Sequence, residues 1–137
     1  MWFGGDDAPE IRSQRDELIA RRFSAHVEAA AAGELDSWAA SPRRLLALIL
    51  LLDQFTRNIF RDSPRAFAGD ALALAAARRM VASGDDQQLP PLHRVFTYLP
   101  FEHAEDRLTQ AESLRLFAAL TGADASLAQF EDYARRH

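Results

Sequence analysis

The sequence predicts an all-α protein of about six antiparallel helices, on three observations. Apolar residues recur at three- and four-residue spacing in one segment after another. No stretch shows the strict apolar–polar alternation of a half-buried strand. Prolines stand where helices would begin, at Pro9, Pro42, Pro64 and Pro90–Pro91, and glycines where they would end, at Gly33, Gly84 and Gly122. A chain of 137 residues is of one-domain size, so residues 1–137 are read as a single all-α domain.

The first predicted helix follows a GGDD turn and starts near Pro9. Ile11, Leu18, Phe23, His26, Val27 and Ala30 repeat along it, and Gly33 is its stop. His26 on that stripe is expected to be a partly buried core histidine rather than a ligand. Trp2 and Phe3 are expected to anchor the start of the chain by packing. Leu35 and Trp38 would dock a short turn onto the core.

Ser41–Pro42 supplies an N-cap and a first-turn proline for the central helix. Its stretch Leu45–Arg61, LLALILLLDQFTRNIFR, opens with eight consecutive apolar residues, which marks a helix buried nearly all round. Asp62–Ser63–Pro64 then opens a helix with Phe67, Leu72, Leu74 and Met80 inward, ended by Gly84. After the polar loop Gly84–Leu89, Pro90–Pro91 starts a shorter helix that Pro100 is expected to break, because a mid-helix proline costs about 3 kcal/mol. Glu102–Leu120 follows, with Leu108, Leu114, Phe117 and Leu120 on its apolar side. A last helix covers about Ser126–His137.

The composition narrows the function. There is no cysteine, hence no disulfide framework and no thiolate metal site, which fits a cytoplasmic location. All sixteen basic side chains are arginine, so no lysine is available for Schiff-base chemistry. A net charge of −4 with scattered arginines argues against a nucleic-acid partner. The apolar run Leu45–Leu52 is far short of a membrane span, which takes roughly 20 residues, so no membrane partner is expected. No Gly-rich phosphate loop, nucleophile elbow or HExxH pattern occurs, and neither a metal nor a cofactor is expected.

Two constellations carry candidate chemistry. In the central helix Asp53, Arg57 and Arg61 fall on one stripe at four-residue spacing, with Gln54 and Asn58 alongside. Two arginines one turn apart can fork onto a carboxylate or phosphate, with Asp53 orienting Arg57. The residues alone leave this open between a small-anion site and a structural polar network. The second is Glu102-His103-Ala104-Glu105-Asp106. A histidine flanked by carboxylates can act as acid or base, but the same residues also suit a helix N-terminus whose acids complement the dipole, with His103 at the cap.

The segments LLDQFTRNIFRDSPRAFAGDALALA, RVFTYLPFEHAEDRLTQ and FEDYARRH resemble the bacterial domain-of-unknown-function family 924, over about Trp2 to His137. The resemblance implies an all-α, tetratricopeptide-like superhelical fold with no established activity. Carried over position by position, it implies site roles for Asp53, Gln54, Arg57, Asn58, Arg61, Arg94, His103 and Glu105. It also implies a further C-terminal helical stretch that this sequence does not contain, and the apolar face left bare would favour a homodimer. The leading expectation is a small-molecule site for an anion, with Arg57, Arg61 and Arg94 on the ligand and His103 and Glu105 transferring a proton. The competing expectation is a helical module that binds a peptide or partner helix in an exposed apolar groove lined by residues such as Phe96, Tyr98 and Phe101.

Overall fold

The computed structural model describes residues 8–136; the expectations for the GGDD turn, Trp2, Phe3 and His137 lie outside them. Among the described residues there are six main helices and no strand. Helix α1 is Pro9–Ala31. Helix α2 runs continuously over 42–59, as an α-helical stretch Pro42–Ile49, a π-helical turn Leu50–Phe55 and a closing α-helical turn Thr56–Ile59. Helices α3 (Asp70–Ser83), α4 (Pro91–His103), α5 (Arg107–Ala123) and α6 (Ala128–Arg136) follow, linked by short 3-10 turns or tight connections.

Capping follows the predicted chemistry. The Ser41 hydroxyl accepts from the Arg44 amide, and Pro42 occupies the first turn of α2. Gly33 and Gly84 take the left-handed backbone, φ 80° and 79°, that ends α1 and α3. The core forms around α2: Leu45, Leu46, Leu48, Ile49, Leu51 and Leu52 are buried. Ala73, Ala77 and Met80 of α3, Val95 and Phe101 of α4, and Phe117 and Leu120 of α5 join the same cluster. Small alanines let α3 lie close to α2. Phe67, in the turn before α3, and Leu72, both expected inward, are exposed.

Four expectations are corrected. Pro64 opens only a 3-10 turn, Pro64–Phe67, and α3 begins later, at Asp70. Pro100 does not break α4, which continues to His103 with Pro100 buried inside it; tertiary packing of Leu99, Pro100 and Phe101 outweighs the local cost. Helix α5 is rotated from the expected face. Its Asp106 cap accepts from the Thr109 amide at 2.9 Å, and the buried stripe is Thr109, Ser113, Phe117 and Leu120, which leaves Leu108 80% exposed and Leu114 at the surface. His26 is exposed rather than part of the core, with its ring beside Phe23 and Trp38.

Candidate functional site

The π-helical turn in α2 is where apolar sequence gives way to polar, and it holds both Asp53 and Gln54. A π turn inside an α-helix widens the backbone and is a frequent mark of a functional site. Here the Thr56 hydroxyl donates to the Leu52 and Asp53 carbonyls, at 2.9 and 3.2 Å. The Arg57 guanidinium donates to the Asp53 carbonyl at 2.6 Å. The loosened carbonyls are thereby satisfied by side chains.

Asp53 is completely buried, yet its carboxylate is fully engaged. Oδ1 lies 2.7 Å from His103 Nδ1 and 3.4 Å from Arg57 Nη1, while Oδ2 accepts from the Gln54 amide at 2.6 Å. A buried carboxylate is tolerable only when held this way. Arg57 reaches further, donating through Nη1 and Nη2 to both oxygens of Asp70, at 2.9 and 3.0 Å, in a forked pair. Phe67 lies against the same guanidinium, 5.3 Å from ring centroid to Cζ. Gly69 makes this approach feasible, because a Cβ there would run into the Leu52 carbonyl oxygen.

His103 and Glu102 sit at the C-terminal end of α4, not at the start of the next helix. The expected reading of His103 as an N-terminal cap is thus reversed: the adjacent helix end presents carbonyls. Gln110 of α5 donates to the carbonyls of Glu102 and Ala104 there, so the turn carrying His103 is held from below. With Nδ1 on Asp53, Nε2 is the ring nitrogen that makes no hydrogen bond among the described residues.

Arg57 and His103 are brought together as lining of two clefts. One, of about 180 Å³, also has Gln54, Leu99, Phe130 and Tyr133 in its wall. The other, of about 540 Å³, is completed by Phe67, Asp70 and Glu105. Glu105 shares that cleft with His103 but does not hydrogen-bond to it; the histidine's carboxylate partner is Asp53.

Three predicted site residues lie elsewhere. Asn58 and Arg61 bind Asp16 of α1: Asn58 Nδ2 donates at 3.0 Å, and Arg61 donates through Nε at 2.6 Å and Nη2 at 3.0 Å. Burial raises the Asp16 pKa, but the bonds from Arg61 and Asn58 and the Arg61 charge outweigh it and hold the carboxyl below its ordinary range. Arg94 donates to the Leu89 and Gln87 carbonyls and secures the turn before α4. The guanidiniums therefore do not converge on one ligand position; each already has internal partners. Asp70 and Asp16 were missed in the sequence. Asp70 stands inside the quoted family segment, and unpaired arginines beside a buried helix called for carboxylates from elsewhere. Among the described residues no group of three or more His, Cys, Asp or Glu is arranged to hold a metal ion. None of their helices is long and apolar enough to cross a membrane.

Comparison with known proteins agrees with the sequence resemblance. A family model described as "Bacterial protein of unknown function (DUF924)" matches residues 1–137. The solved structure of a protein of unknown function from Agrobacterium tumefaciens is 37% identical, with a TM-score of 0.79. The match covers 97% of this chain and 76% of that one. No curated protein matches.

Proposed function

Because the chain belongs to DUF924, a bacterial family of unknown function, we propose its function from the site alone: a small-molecule site in which His103 moves a proton. One observation carries the reading. A fully buried aspartate holds His103 Nδ1 at 2.7 Å at the wall of a cleft. In such a pair the carboxylate fixes the ring and its tautomer and faces the positive charge the imidazole takes on when Nε2 accepts a proton. Nε2 then acts as the base towards a bound substrate or water and returns the proton to a leaving group. Arg57 and Gln54 act as positioning residues, since both hold Asp53. Two separate clefts beside one histidine give room for a substrate and a water.

Phe96, Tyr98 and Phe101, which the interaction-module reading would use to line a groove, are buried in the core, and this favours the small-molecule reading. The anion-clamp version loses its free arginines, since Arg57 and Arg61 are each forked onto an aspartate.

The test is nitrogen-15 NMR of the histidine rings combined with a thermal-shift screen of small metabolites at fixed ionic strength. Expected are a protonated Nδ1 and an acceptor Nε2 for His103, and at least one compound that both raises Tm and shifts that Nε2 signal. An Nε2-protonated ring, or a screen in which no compound touches the His103 signal of the folded protein, would overturn the proposal.

A further inference from the structure

The charge around the larger cleft selects a ligand class. Among the described residues its wall holds two carboxylates, Asp70 and Glu105, and one guanidinium, Arg57, while the Asp53 carboxylate bonds two of the lining residues, Arg57 and His103. Three carboxylates to one guanidinium leave the place net negative, whether or not His103 is protonated. Arg57 is not available to offset this for a ligand, because Asp70 fills its fork and the Asp53 carbonyl and carboxylate take the inner edge. An anion would have to displace Asp70 and then lie against two acids. Glu105, by contrast, makes no hydrogen bond or ion pair with any described residue, and it faces a cleft that His103 and Asp70 also line. The wall includes Phe67, 60% exposed, whose ring already carries one cation, the Arg57 guanidinium.

We propose that this cleft binds a small organic cation, a primary ammonium carrying an apolar group, with the ammonium between Glu105 and Asp70 and the apolar part against Phe67. The inference rests on the His103 site proposed above and adds the ligand's charge to it.

The experiment titrates the full chain with three probes of one shape and different charge, benzylammonium, benzyl alcohol and benzoate, at fixed ionic strength. Affinity is read by calorimetry and the His103 ring by NMR. Expected is saturable binding of benzylammonium alone, weakened roughly two- to fivefold by Glu105→Gln, the range of an exposed ion pair. Glu105 is exposed and has no hydrogen-bond or ion-pair partner among the described residues, so this variant should fold like the wild type; Phe67→Ala should weaken binding independently. Benzoate binding that shifts the His103 ring would overturn the cation assignment and leave the site standing. So would equal binding of all three. If none binds, the cation assignment falls; the site itself falls with it only if the metabolite screen also leaves His103 unperturbed.

Discussion

Asp53 has both carboxylate oxygens engaged inside the protein, and that makes it the residue whose loss is most informative. Asp53→Asn keeps the size but removes the charge that His103 and Arg57 share. The expected cost is about 2 kcal/mol of unfolding free energy by denaturant titration, the scale of a buried hydrogen bond to a charged group. His103 should also lose its fixed tautomer, visible in the ring nitrogen shifts. An unchanged midpoint would mean that the aspartate is not held as drawn. Asp16 makes a different prediction. Its folded pKa is depressed, so its contribution to stability is complete above the unfolded carboxylate pKa and disappears as pH falls through the lower folded value. Asp16→Asn should therefore be less stable than wild type near neutral pH and nearly equal to it in acid. A constant difference across that range would contradict the Arg61–Asn58 attachment.

At the scale of elements, the π turn and Gly69 are one device. The wide turn brings the Leu52 carbonyl up to the backbone of Gly69, and α3 then starts at Asp70, within reach of Arg57. Gly69→Ala should cost about 1–3 kcal/mol by overpacking, and alanine is also the poorer residue at this N-cap position. Gly122 is the control: it lies inside α5 with open space where a Cβ would go, so Gly122→Ala should stabilise by about 0.5–1 kcal/mol. Thermal denaturation of the two variants checks both signs. The same elements show what was legible in the sequence. The helices, their caps at Ser41, Gly33 and Gly84, and the burial of Leu48 and Leu52 follow from local spacing and turn chemistry. The π turn was not legible, because nothing in LLLDQF distinguishes five-residue from four-residue hydrogen bonding. Half of the buried face of α5, Phe117 and Leu120, was legible; the other half was missed because Thr109 and Ser113, polar by type, are buried: the Thr109 hydroxyl accepts from Arg78 of α3, a contact invisible to periodicity. The Asp53–His103 pair was half legible. Both residues stood out, but each was assigned the nearer partner in sequence, and the pairing across fifty positions is set by the fold.

Across the whole molecule, the polar half of α2 acts as a hub. Asn58, with Arg61 in the turn just beyond Ile59 rather than in the helix as expected, ties it to α1 through Asp16; Arg57 ties it to α3 through Asp70, and Asp53 ties it to α4 through His103. Two of these ties share atoms and one does not, which predicts how their losses combine. Arg57 and His103 both meet Asp53 Oδ1, so removing either changes the field and the room available to the other. A double-mutant cycle on Arg57→Ala and His103→Ala should show a coupling within the range of about 0.5–3 kcal/mol measured for residues in one network. Asp16 bonds neither Asp53 nor Arg57 and holds a different helix. A cycle on Asp16→Ala and His103→Ala should therefore be additive to within about 0.5 kcal/mol. Both cycles use denaturant midpoints with unchanged slopes, so that a shift in the unfolded state is not mistaken for coupling. Additivity in the first cycle would mean that Arg57 and His103 serve separate structures, and the shared site would lose its basis. Coupling in the second as strong as in the first would mean that α2 responds as one rigid body, with the Asp53 cluster no more than part of its frame.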